Sequence, residues 1–313
     1  MTVTVIKPGM QSTLQAGPRV GRRHLGIPGG GAADPLSLAL ANRLLENAWD
    51  MPAIEVTLTG PVLRFAIDAS VAVTGGATSV RLNGQEQGCH RAFVAMAGDE
   101  LAIGAVETGA RVYVAVGRGF AAEAVLGSKS TDLQAGFGGH RGRALRTGDE
   151  LEIGGVTASG IETPAEFQPR FSTAWAMRVC ESAETAWLDN DGREALFGTN
   201  WVVDRRADRM GLRLDGPALT VSSDGRMPSA GVVPGTIQCP EDGTPYLLSV
   251  DAGTVGGYPR VGQVARVDRH VLGQLRPGDH VRLLARTPDE AVGELRKKVA
   301  YWEPWLPDIA EIL

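Results

Sequence analysis

Thr57-Leu-Thr-Gly-Pro-Val-Leu-Arg-Phe65 and, far downstream, Arg213-Leu-Asp-Gly-Pro-Ala-Leu-Thr-Val221 share one pattern. Each alternates apolar and polar residues, breaks at Gly-Pro and resumes. Such alternation marks a half-buried strand, and Gly-Pro marks a corner. Two more pairs follow in the same order. Thr108-Gly-Ala-Arg-Val-Tyr-Val-Ala-Val116 parallels Asp242-Gly-Thr-Pro-Tyr-Leu-Leu-Ser-Val250, and Leu145-Arg-Thr-Gly-Asp-Glu-Leu-Glu-Ile153 parallels Leu275-Arg-Pro-Gly-Asp-His-Val-Arg-Leu283. Ordered matches of this kind predict an internal duplication. The expected fold is mainly β: two related β-barrel units in tandem, each with a strand–Gly-Pro–strand corner and a closing Gly-Asp turn. Closing each sheet removes exposed edges. The polar, proline-bearing stretch from 160 to 176 reads as the junction, so the expected domains are 1–160 and 161–313. Tandem barrels leave a groove between them, where ligand sites tend to form.

Composition agrees. The 313 residues suffice for two cores, and 41 glycines and 18 prolines with 5% aromatics suit short strands joined by tight turns. Two segments read as helix. Asp34-Pro35 ahead of Leu36, Leu40 and Leu44 supplies an N-cap and a proline at the first helical position. Thr287-Pro-Asp-Glu290 is a capping box opening a helix to about Ala300, the C-terminal helix of the second domain. A net charge of −5 marks no nucleic-acid binder. The start lacks the basic-then-apolar pattern of a signal peptide, and no apolar run is long enough for a membrane helix. Cys89, Cys180 and Cys239 are widely spaced without CxxC, which predicts buried apolar thiols in a reducing compartment. The expectation is a cytoplasmic protein that contacts neither nucleic acid nor membrane.

Chemistry concentrates in two regions. The first is the polar, glycine-rich run Gly9-Met-Gln-Ser-Thr-Leu-Gln15 through Arg19, His24 and Pro28 to Asp34. A glycine-rich loop feeding a helix can cradle an anion, although Asp34 reads as the helix cap first. The second runs from Gly231-Val-Val-Pro-Gly-Thr-Ile-Gln238 to Asp251-Ala-Gly-Thr254-Val-Gly-Gly-Tyr258-Pro259, where successive glycines bring backbone N–H groups beside Asp251, Thr254 and Tyr258. Gly127-Ser-Lys-Ser-Thr131 is not a phosphate loop, because Ser128 separates the glycine from the lysine. The five histidines show no HxH or HExxH spacing, so no metal site is expected. Arg205, Arg206, Arg209 and Arg213, interleaved with Asp204 and Asp208, read as a salt-bridged surface. The alternative is that Arg209 grips a carboxylate with both arms of its fork.

On these residues the chain resembles the carboxyltransferase subdomain A/B family, also called allophanate hydrolase subunit 2 or KipA-like, whose bacterial members include the C-type subunit of 5-oxoprolinase. The similar stretches are Gly9 through Asp34, Leu58 through Phe65, Thr74-Gly-Gly-Ala-Thr-Ser-Val-Arg-Leu-Asn-Gly84, Val125 through Thr131, Ala207 through Pro217 and Gly231 through Pro259. The resemblance implies two cyclophilin-like β-barrels with a few short helices. It implies a cytoplasmic hydrolase subunit of a 5-oxoprolinase complex, opening 5-oxoproline to glutamate at the expense of ATP. The partners implied are a KipI-like subunit (allophanate hydrolase subunit 1, or the B-type subunit of 5-oxoprolinase) and the A-type 5-oxoprolinase subunit. No tightly bound cofactor is implied. In this reading Gln11, Gln15, Arg19, His24 and Asp34 line one side of the groove. Arg209, Gln238, Asp251, Thr254, Gly256, Gly257 and Tyr258 line the other, an arginine holding the substrate carboxylate and backbone N–H groups meeting a developing oxyanion. Two alternatives stand beside it. One is a biotin-dependent carboxyltransferase acting on urea or a related amide, with biotin on a partner. The other is a non-enzymatic regulator of a KipI-type kinase inhibitor. The chain departs from the family pattern at Ala16, Ala230 and Gly253, where aspartate, glutamate and glutamine are common; these losses suggest an altered substrate or weakened activity.

Overall fold

The structure, a computed structural model, describes residues 1–157, 160–222 and 227–313. The chain forms two compact units, neither of them one continuous stretch. The first takes Met1–Arg19, Gly30–Phe171 and Trp302–Ile312; the second takes Val20–Gly29, Ser172–Tyr301 and Leu313. A single boundary after residue 160 makes no provision for either crossing.

Strands of the first unit form where apolar residues alternate: β1 (Thr2–Lys7) turns Val3 and Val5 into the core while Thr2, Thr4 and Ile6 stay half-buried. With β2 (Gln11–Gln15), β3 (Ala53–Thr57), β4 (Val62–Phe65), β5 (Ala69–Leu82), β6 (Gln85–Gln87), β7 (Ala92–Ala95), β8 (Glu100–Val116) and β9 (Glu150–Glu152), it builds a sheet of nine strands among the described residues. The hydrogen-bonded path runs β2-β3-β8-β4-β1-β9, and β5 pairs with β6, β7 and β8. One face encloses Val56, Phe65, Val71, Leu101 and Val114. The other packs Ala53, Ala72 and Ala115 beneath Leu38 and Ala41 of helix α1 (Pro35–Arg43) and Leu44 just after it.

The second unit is a closed barrel. Its strands are β10 (Ala174–Cys180), β11 (Asn200–Ala207), β12 (Gly211–Asp215), β14 (Thr236–Gln238), β15 (Tyr246–Leu248), β17 (Arg260–Val264) and β18 (His280–Arg286), in the order β10-β17-β14-β15-β12-β11-β18. Parallel pairing of β10 with β18, from Ala174↔His280 to Cys180↔Arg286, completes the ring. Met177, Trp201, Leu214, Ile237, Leu247 and Leu283 fill it. A separate ribbon joins β13 (Ala230–Gly231) to β16 (Val255–Gly256). Among the described residues the α-helices of this unit are α2 (Asn190–Gly198) and α3 (Pro288–Trp302), whose last residue, Trp302, belongs to the first unit.

The mainly β fold matches the expectation, with one difference: the second sheet closes, whereas the first is a curled half-barrel. The duplication survives best at the Gly-Asp turns. Asp149 N–H donates to Arg146 O at 3.1 Å, Arg146 N–H to the Asp149 carboxylate at 2.7 Å, and Val5 N–H to Asp149 O at 2.9 Å. In the second unit Asp279, Arg276 and Val203 repeat these bonds at 3.0, 3.2 and 2.9 Å. The Gly-Pro corners agree only in part. A Cβ on Gly60 would stand 2.3 Å from Ile103, and one on Gly216 would stand 2.6 Å from the Trp201 ring, so both halves need the bare backbone. Beyond Pro61 the chain enters β4, whereas beyond Pro217 the described residues form only a bridge between Val221 and Leu188.

The capping box holds: Thr287 N–H donates to the Glu290 carboxylate at 2.8 Å and Glu290 N–H to Thr287 Oγ1 at 3.3 Å. After α3 the segment Trp302-Glu-Pro-Trp305 returns to the first unit. The ring of Phe167 lies 5.5 Å from that of Trp302 and 6.4 Å from that of Trp305. The Arg43 guanidinium covers Trp305 at 5.1 Å. A last helix, α4 (Ile309–Ile312), buries Ile309 and Ile312.

Candidate functional site

In the second unit, Gln238 at the end of β14 is 6% exposed and donates from Nε2 to the Tyr258 carbonyl at 3.2 Å. It lies against Gly256, where a Cβ would stand 2.4 Å from that same nitrogen. A glycine at 256 is thus the space the glutamine amide occupies. Beside this contact is a cavity of about 270 Å³ lined by Leu219, Val221, Met227, Cys239, Pro240, Glu241 and Gly257-Tyr258-Pro259. Its wall combines the strand end after Gln238 with the late glycine turn, as neighbouring barrel strands require. Burial, helped by the negative charge of Asp242, pushes the Cys239 thiol up to about 11, so it stays protonated at neutral pH. Cys89 and Cys180 are only half-buried, unlike the buried set expected.

The loop base is held by two forks. Arg209 donates from Nε to Asp251 Oδ2 at 2.7 Å and from Nη2 to Asp251 Oδ1 at 2.9 Å, with both residues buried. Arg209 therefore does grip a carboxylate bidentately, and that carboxylate is the protein's own. This internal pairing fits the salt-bridged reading of the cluster. Arg260 repeats the fork with Glu184, both contacts at 2.7 Å, and also reaches Gly231 O at 3.2 Å. The Arg260 guanidinium holds the Glu184 carboxyl below its usual range. The rest of the basic cluster behaves as expected, with Arg206 paired to Asp204 and Arg213 to Asp242. Thr254 is half-buried and its carbonyl accepts from Val232 N–H at 3.1 Å; Tyr258 is 51% exposed.

Part of the N-terminal polar run belongs to this unit. On a single 3-10 turn, Arg23–Leu25, His24 stands exposed, while Arg23 donates from Nη2 to Val232 O at 2.5 Å and to Gly253 O at 3.2 Å. Sequence reasoning does not single out Arg23, Cys239, Glu184 or Arg260 as site residues, because no local motif distinguishes them.

The remaining predicted residues lie in the first unit and are engaged structurally. Gln11 opens β2 half-buried. Gln15 is fully buried and donates from Nε2 to Thr13 Oγ1 at 3.1 Å and Thr131 O at 3.2 Å. Arg19, 1% exposed, donates to Ser130 O and lies 4.7 Å over the Phe137 ring. Ser128 donates to Gly17 O at 2.6 Å, Ala16 N–H to Ser130 Oγ at 2.9 Å and Thr131 Oγ1 to Leu14 O at 2.9 Å. The Gly127–Thr131 loop is thus stitched through its hydroxyls to the Leu14–Gly17 backbone. Asp34 is the cap of α1: Ser37 N–H donates to its Oδ1 at 3.1 Å and Ser37 Oγ to its Oδ2 at 2.5 Å. Its own N–H donates to Tyr113 Oη at 2.8 Å, which donates to Glu55 at 2.8 Å. Burial and the Glu55 carboxylate push the Tyr113 hydroxyl well above its ordinary pKa.

The motifs on this frame, from Leu25 to Ala285, match the family model described as carboxyltransferase domain, subdomain A and B. The chain belongs to that family. It is 33% identical to the C-type subunit of the Escherichia coli 5-oxoprolinase over 96% of both chains. It is 30% identical to the urea amidolyase of Saccharomyces cerevisiae over 90% of this chain and 16% of that one. Among solved structures, the urea carboxylase of Kluyveromyces lactis superposes with a TM-score of 0.90 at 26% identity, over 97% of this chain and 29% of that one. Two of the three departures from the family motifs fall together: Ala230 pairs with Gly256 in the ribbon, and Gly253 presents its carbonyl to Arg23. Ala16 is buried beside Ser130. Among the described residues no helix is long and apolar enough to cross a membrane.

Proposed function

We propose that this chain is the C-type subunit of a 5-oxoprolinase, opening the lactam of 5-oxoproline to glutamate at the expense of ATP together with KipI-like and A-type subunits. The observation that carries the reading is the match to the C-type subunit from E. coli, 33% identical over 96% of this chain. The cavity beside Gly257 and Tyr258, about 270 Å³, has room for a compact ligand, and its lining mixes apolar side chains with Glu241 and Tyr258. Water attack on the lactam carbonyl drives charge onto its oxygen while the ring nitrogen leaves as an amine and takes a proton. Backbone brought close by the glycine turn is suited to meet that oxygen. Gln238, locked between Gly256 and Tyr258, positions the turn. ATP falls to the partners in this reading.

A second reading is favoured by the TM-score of 0.90 to a urea carboxylase: carboxyl transfer to a urea-like amide from biotin carried on a partner. Reconstitution separates the two. The chain mixed with its KipI-like and A-type partners is supplied with ATP and either 5-oxoproline, or urea with a biotinylated carrier and its carboxylase. ATP turnover that depends on 5-oxoproline is expected. Carboxylation of urea without any 5-oxoproline turnover would replace the first reading with the second.

A further inference from the structure

With Arg209 closed by Asp251 and Arg260 by Glu184, neither fork is open to an outside anion. Arg23 differs. It makes no ion pair with a carboxylate among the described residues, and its Nη2 is steered by two backbone carbonyls, Val232 and Gly253. Its Nη1 is buried and has no hydrogen-bond partner among the described residues. Leaving a charged donor buried and unmatched is costly, so such a group calls for an acceptor. Desolvation pulls its pKa below the usual arginine value, in keeping with that mismatch.

Space for an acceptor lies alongside. Gly253 is exposed and has no left-handed φ, so its backbone does not demand glycine. A Cβ there would meet only Val255 O, at 3.5 Å, which is ordinary contact. The side-chain direction at Gly253 is therefore open, on the residue whose carbonyl Arg23 Nη2 reaches at 3.2 Å. Ala230, in the ribbon that pairs it with Gly256, adds no charge of its own.

We infer that Arg23 is the anion-binding residue of the second unit, taking a small carboxylate in the notch opened by Gly253. The inference rests on the 5-oxoprolinase reading for the identity of that carboxylate, since 5-oxoproline carries one and urea does not. A carboxylate suits the notch better than a phosphate group. One guanidinium edge satisfies it, whereas the two carbonyls crowding Nη2 repel the greater charge of a phosphate.

The test uses the full chain and two readouts. Binding of 5-oxoproline is followed by the Nε–H resonance of Arg23, with 2-pyrrolidone-5-carboxamide (neutral) and ATP as comparison ligands. Turnover is followed in the three-subunit complex. Arg23→Gln is expected to weaken 5-oxoproline binding and raise its KM by about 10- to 100-fold, the loss typical of one charge-assisted bond. The carboxamide is expected to be unaffected. Arg23→Lys retains charge without the fork and is expected to fall between, and Arg22→Gln on the exposed neighbour to match wild type. An unmoved Arg23 resonance with 5-oxoproline, an equal loss for acid and amide, or a response to ATP alone would each overturn the assignment. Carboxylate binding at Arg23 with no turnover in the complex would leave the notch standing and remove the 5-oxoprolinase reading.

Discussion

At the residue scale, the most consequential contact is the fork between Arg209 and Asp251, which closes a loop over residues far apart in sequence. Removing one partner strands a buried charge, so Arg209→Ala or Asp251→Ala is expected to cost about 3–5 kcal/mol. The double change Arg209→Met with Asp251→Leu is expected to recover most of it. Denaturant unfolding of the three variants checks this; equal losses in single and double variants would show that the pair matters for more than charge balance. His90 sets a pH dependence. Burial lowers its pKa from 6.5 to about 4, so between those values the unfolded chain takes up a proton that the folded chain refuses. Stability is full above pH 6.5 and falls as pH drops toward 4. Thermal unfolding at about pH 7 and about pH 5, either side of the ordinary histidine pKa, is expected to show a smaller drop for His90→Asn than for wild type. Among candidate residues, Asp34 and the Gln238–Gly256–Tyr258 neighbourhood were legible, because a cap and a glycine turn are local signals. The partner of Arg209 was not legible, since a fork drawn in sequence does not say which carboxylate fills it.

At the element scale, strands and helix starts follow from nearby residues: the Asp34-Pro35 cap and the Thr287–Glu290 box form where the side chains dictate. Closure is another matter. Whether a sheet becomes a ring depends on the pairing of its first and last strands, and only the second unit achieves it, through β10 and β18. The Gly-Asp turns kept one set of bonds in both units because those bonds lie within a few residues. The Gly-Pro corners diverged because the strand beyond them pairs at long range. The return of Trp302–Ile312 to the first unit was hidden for the same reason. Its anchor is Trp305, stacked with Phe167 and covered by Arg43, whose Nε donates to the Trp305 carbonyl at 3.1 Å. Trp305→Ala removes a half-buried ring and is expected to destabilise by about 2–3 kcal/mol. Calorimetry tests this; an unchanged transition would show that the Trp302–Ile312 segment contributes nothing to the first core.

For the whole molecule, membership of the carboxyltransferase subdomain A and B family accounts for the mainly β fold and for the glycine-dense turn. It does not choose among reactions. Arg209, Arg260 and the Gly127–Thr131 hydroxyls are committed internally, while a cavity opens by Gly257 and Nη1 of Arg23 has no hydrogen-bond partner among the described residues. On the proposed function, ATP chemistry falls to partner subunits, so no turnover is expected from the purified chain alone. The decisive measurement is glutamate formed from 5-oxoproline in an omission series, with this chain and the proposed KipI-like and A-type partners each left out in turn. We predict glutamate only in the complete mixture, with ADP released alongside it. Glutamate formed equally well without this chain, or none formed when all three are present, would contradict the account.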